Sequence, residues 1–120
     1  MIIVNLRRSW PDVMIERRSK ASALLFAWKI TDERINQFAS PGSVILGVYD
    51  RKIVSSYVIT GHKRLEIHQN RVTFDGIPIK HHWLNKTLDE LGAVGQHIRW
   101  IQGQVNPVKF LNDDETIPHQ

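Results

Sequence analysis

The sequence predicts a single α+β domain: a small, twisted, mostly antiparallel sheet, curled or barrel-like, with two or three short helices. Three observations predict it. The chain of 120 residues has the length of one ordinary domain, and 42% hydrophobic with 23% charged residues is a globular composition. Its β-rich runs are short and separated by turn residues. Two segments near the amino end carry a capping residue followed by apolar side chains at helical spacing. Residues 1–112 form the domain in this reading, and 113–120 an acidic, flexible tail.

Residues 2–6 are a short apolar strand. Ser9-Trp10-Pro11-Asp12 reads as a turn, because proline restricts the residue before it and aspartate favours turns. Ser19 caps a helix with Ala21, Leu24, Leu25 and Trp28 on one face. Thr31 caps a second, Asp32 to Ala39, whose first-turn acids suit the positive end of its dipole. Residues 44–49 and 53–59 form a hairpin about Asp50-Arg51-Lys52. The first run is apolar on both faces and reads as a central strand; Ser55 and Ser56 mark the second as less buried. A second hairpin joins 65–68 to 71–74 through Gln69-Asn70, one face wet, and Asp75-Gly76 ends it. Asn85 caps a short helix to Leu91, Gly92 and Gly95 break it, and 97–101 and 108–111 are the last strands.

The chain carries 16 basic and 12 acidic residues, but Asp113, Asp114 and Glu115 lie together near the carboxyl end. Residues 1–112 therefore hold 16 basic against nine acidic residues, a net +7. Such a body attracts polyanions at long range, and contacts to phosphates release counterions. The opening residues are apolar first and basic second, the reverse of a signal peptide. No run reaches the ~18 apolar residues of a membrane helix. With no cysteine there is no disulfide, no thiolate metal site and no cysteine nucleophile, and a cytoplasmic address is expected.

Catalytic signatures are missing. There is no HExxH, no GxSxG and no Ser-x-x-Lys, and Gly92-Ala-Val-Gly95 lacks the Lys-Ser/Thr of a phosphate loop. Of the six histidines, His81 and His82 are adjacent; on a strand they would point to opposite faces and could not share a metal ion. The acids outside the tail are scattered and read as solvated turn and strand-face groups. Cations beside aromatic rings are the positive signal: Trp28-Lys29, Lys80-His81-His82-Trp83 and Arg99-Trp100, with His62-Lys63-Arg64 as a basic turn. Cations hold phosphates, and aromatic faces stack on unpaired bases. Trp100, in an apolar run, reads as core and Trp83, in a polar loop, as exposed.

Trp28-Lys29, then residues 44–49 and 53–57, resembles a small domain that accompanies bacterial and phage nuclease or restriction-type proteins, with its Trp followed by an ALAVY-x-G-x-V-x-x-VY hairpin. Residues 71–76 are similar to its R-x-x-F-x-G strand, 95–98 to its GKSV stretch, and 103–112 to its closing G-x-x-NP-I-x-Y-x-N. The order agrees over residues 21–112. Arg51-Lys52 replaces the usual turn glycine, and Thr60-Gly61-His62 stands where the family has a Trp. The resemblance implies a PUA-like barrel over 1–112, a class that often reads RNA or modified, flipped-out bases.

The expected function is a non-catalytic binding module for DNA or RNA. Trp28 is expected to wall a pocket, Lys29, Lys63, Arg64 and Arg71 to contact phosphates, His82 and Trp83 to join them, and Asn106 to sit turn-held nearby. No catalytic residue, metal site, cofactor or membrane contact is expected. One alternative is a small metal-assisted nuclease or hydrolase using His62, His81 or His82 with Asp75. The other is an inhibitor or accessory factor that binds a protein partner.

Overall fold

The computed structural model describes residues 1–119. It is an α+β domain with one five-stranded mixed sheet. The strands are β1 (Ile2–Asn5), β2 (Val44–Tyr49), β3 (Lys52–Leu65), β4 (Arg71–Pro78) and β5 (Val108–Phe110), and the helices α1 (Trp10–Met14), α2 (Lys20–Leu25), α3 (Asp32–Phe38) and α4 (Gly92–His97). In space the strands run β4-β3-β2-β1-β5. The sheet is not closed: β4 and β5 are its edges, and β1 with β2 is a parallel pair while the other three pairings are antiparallel. No helix among the described residues is long and apolar enough to cross a membrane.

The helix caps form as their chemistry dictates. Ser19 accepts from the Ser22 amide at 3.0 Å, and Thr31 from the Arg34 amide at 3.3 Å. Trp28 lies beyond the end of α2, and its backbone bridges to Val72 on β4. The Ser9–Asp12 turn is instead the entry to α1, since proline fits the first helical turn, where its missing N–H is not needed.

Helices α1–α3 cover one face of the sheet, burying Ile2, Val4, Ile45, Ile59 and Phe74 with Leu24, Trp28 and Ile35. The segment from Trp83 to Trp100 covers the other, packing Leu88 and Ile98 on Ile3, Leu46, Val48 and Ile53. Coverage on both faces explains why Ile2–Val4 of β1 and the whole of β2 lack charged or strongly polar side chains. It also corrects the expectation for Ser55 and Ser56, which are both buried; Ser56 Oγ donates to the Ile79 carbonyl at 2.5 Å.

Three further expectations change. The second hairpin turns where predicted, but β3 runs unbroken to Leu65 and β4 continues to Pro78; residues 66–68 are a 3-10 turn. Thr60-Gly61 forms an irregularity in the pairing, so polar residues that alternate poorly are carried along by their partner strand. Residues 92–97 are helical and 97–101 hold no strand. Gly95 does not break α4. It is buried where a Cβ would stand 1.8 Å from the Leu88 carbonyl oxygen, so glycine lets the helix touch the preceding 3-10 turn, Asp89–Leu91.

The acidic tail is fastened. Asp113 accepts from the Met1 amino nitrogen at 2.9 Å and from Ser43 Oγ at 3.3 Å, and Thr116 bonds Asn112 and Asp114. The expectation of a flexible end came from its polarity; Asp113, Asp114 and Thr116 have hydrogen-bond partners instead, and Gln120 lies outside the described residues.

Candidate functional site

Two places concentrate polar, charged and aromatic groups. The first is a groove of about 470 Å³ outside the carboxyl ends of the parallel strands β1 and β2. There the chain leaves β1 toward α1 and leaves β2 by the tight turn into β3, and the groove opens beside these two exits. Asn5 ends β1 and Arg7 follows it, Tyr49 ends β2 and Asp50 and Arg51 follow it, and Trp100 with Gln102 and Gln104 completes the lining. Trp100 is held in place: its Nε1–H donates to the Asn106 carbonyl at 2.7 Å, and the Lys109 ammonium lies 5.1 Å from its ring centroid. Burial holds the Lys109 amine below its ordinary pKa. The Gln104 side chain accepts from the Ile101 amide and from Lys109, folding the loop back on itself.

Arg7 and Arg51 are exposed, and among the described residues neither forms an ion pair. Arg51 occupies the hairpin turn with φ +59°, after Asp50 at +51°. That left-handed pair of positions favours Asn-Gly or Asp-Gly. The chain thus holds an arginine in a conformation that glycine would adopt without strain.

The second place is a polar cluster where the loop after β4 meets the tail. His82 Nε2 lies 2.9 Å and His81 Nε2 3.6 Å from Glu115 Oε2. The two rings stack with centroids 4.2 Å apart. The prediction that adjacent histidines diverge fails because residues 79–82 have left the strand, and alternation no longer applies. Alongside lies a cavity of about 130 Å³ lined by Ser43, His81, Asp113 and Glu115. The His81 side chain is largely covered, and burial, then His82, hold its pKa below the ordinary 6.5, with Glu115 opposing. A histidine lowered on folding contributes stability that is complete above about pH 6.5 and is lost as the pH falls through its folded value. Denaturation midpoints at pH 7.5 and 5.0 are expected to differ less in His81→Gln than in the parent; an equal difference would exclude His81 as a source.

The residues read from sequence fall in three places. Trp28, Lys29, Lys63, Arg64 and Arg71 gather around the β3–β4 hairpin, but most of them serve the fold. Trp28 is buried, 8% exposed, with Nε1–H donating to the Leu24 carbonyl at 2.7 Å. It fills the core and presents no stacking face. Arg64 is held by Asp32 and the Ile30 and Asn70 carbonyls, and Arg71 donates to the Ala27 carbonyl. Lys29 and Lys63 are exposed. His82 and Trp83 belong to the tail cluster, where Trp83 is half-buried rather than exposed, its ring 5.2 Å from His81. Asn106 is turn-held as expected, its Oδ1 accepting from the Val108 amide, and it supports Trp100. Asp75 lies beside Gly61 on the β3–β4 ladder, and the acid that meets His81 and His82 is Glu115.

Sequence reasoning missed Arg7, Tyr49, Arg51 and Trp100 as a set. The one available signal was arginine in place of the hairpin glycine. No family model, curated protein or solved structure matches the chain.

Proposed function

We propose that the protein is a non-catalytic nucleic-acid-binding module and that a single strand lies in the groove at the carboxyl ends of β1 and β2. One observation carries this reading: two guanidinium groups without ion-pair partners among the described residues, Arg7 and Arg51, share a cavity with the rings of Tyr49 and Trp100. Guanidinium groups bind phosphate in a fork geometry, aromatic rings stack on any unpaired base, and the Asn5 and Gln102 amides offer hydrogen bonds to base edges. The volume falls in the range of small-ligand sites and suits one nucleotide unit of a longer strand. The net charge of +7 over residues 1–112 favours the encounter. The stacking role assigned to Trp28 passes to Trp100.

Arg51→Gly is the discriminating variant, because it relieves the left-handed turn while deleting a phosphate contact. Its stability is expected to equal or exceed that of the parent. Its affinity for a short single-stranded oligonucleotide is expected to fall, and the slope of log affinity against log salt to shrink by about one. Mobility-shift titrations at two salt concentrations check this. If the parent binds neither DNA nor RNA at low salt, the nucleic-acid reading fails and a protein partner becomes the better one; undiminished binding by Arg51→Gly displaces the ligand from this groove.

A further inference from the structure

We propose that His81, His82 and Glu115 bind one divalent transition-metal ion of the zinc class, which fastens the tail to the loop after β4. The three donor atoms lie within 4.8 Å of one another. Bonds of about 2.0–2.2 Å in a tetrahedron place ligand atoms about 3.3 Å apart. The two nitrogen–oxygen separations, 2.9 and 3.6 Å, bracket that spacing. No other group of three such side chains converges among the described residues.

The condition of Glu115 points the same way. Its Oε2 is sealed from solvent, and the two imidazole nitrogens stand 2.9 and 3.6 Å from it. A buried carboxylate oxygen needs a polar or charged partner. A cation between the oxygen and the two nitrogens supplies one. Two imidazoles with one carboxylate suit zinc, cobalt or nickel better than magnesium or calcium, which select all-oxygen sets.

Loading requires one rearrangement. His81 Nδ1 accepts the Trp83 amide hydrogen at 3.1 Å, which places the neutral ring's proton on Nε2. To coordinate through Nε2 the ring moves that proton to Nδ1 and gives up the Trp83 contact. The stacked rings, 28° apart in plane, then fan open so that each lone pair meets the ion. The exposed His82 is free to turn. The Trp83 indole, 5.2 and 5.5 Å from the two imidazoles, moves with them. Three protein ligands leave a fourth position for water beside the 130 Å³ cavity. Glu115 follows β5 and the histidines follow β4, so the ion joins segments more than thirty residues apart in the chain.

Calorimetric titration of the full chain with zinc chloride tests the proposal, with tryptophan fluorescence and thermal melting in parallel. We expect one ion per chain, a fluorescence change and a raised melting temperature. His82→Ala alters an exposed side chain and Glu115→Gln keeps its shape, so both variants retain the fold. Each is expected to weaken binding at least about tenfold, the loss that even residues behind a ligand carry. Absence of zinc binding by the parent overturns the proposal. So does binding that survives either substitution, which would place the ion on other histidines such as His62 or His68.

Discussion

Trp28→Ala is expected to cost about 3–5 kcal/mol of folding stability, the range for truncating a buried aromatic side chain. The indole fills the space between α2 and β4 and is bonded to the Leu24 carbonyl, so truncation leaves a cavity and an unpaired buried oxygen. A domain of this size is stable by about 5–15 kcal/mol, so the loss is a large share of the whole. Trp28→Phe, which keeps most of the volume and loses the hydrogen bond, is expected to cost about 1 kcal/mol for that bond with a smaller packing term. Urea denaturation of both variants checks this. A Trp28→Ala protein as stable as the parent but weak in nucleic-acid binding would return Trp28 to the ligand and remove it from the core.

Gly95→Ala is expected to destabilise by about 3 kcal/mol, the upper end of the range for overpacking. Alanine is the better helix former by about 1 kcal/mol, and on propensity alone this substitution inside α4 would stabilise. Packing decides the sign. The added Cβ would stand 1.8 Å from the Leu88 carbonyl oxygen and 2.8 Å from its carbonyl carbon. That is backbone, and it cannot rotate away; Leu88 is itself fully buried, so the whole 3-10 turn must shift. Gly103→Ala is the control. At φ +92° with nothing within 4 Å, it carries only backbone strain of about 1–2 kcal/mol. Melting curves that order the two variants the other way would show that α4 does not rest on the Leu88 turn.

Locally determined features were legible in the chain. Ser19 and Thr31 cap the helices they were expected to cap, because a hydroxyl facing free amides two or three residues on is a local arrangement. The Asp50–Lys52 hairpin and the Gln69-Asn70 turn follow from polar residues between β-rich runs. The central place of β2 followed from its unbroken apolarity.

What depends on distant partners was not legible. The polar stretch from Thr60 to Arg64 is a strand because β4 lies opposite, and the sheet is open because its edge strands β4 and β5 do not pair with each other. A cation reads the same whether it is free or spent on a carbonyl; the fold alone separates Arg7 and Arg51 from Arg64 and Arg71. Glu115 looked like part of a solvated tail until β5 brought it to His82. Composition and local pattern determined the α+β class, the caps, the turns and the basic character of the body. Tertiary structure decided which charges stay unpaired and which side chains converge, because those depend on contacts between segments whose separation along the chain carries no periodic signal.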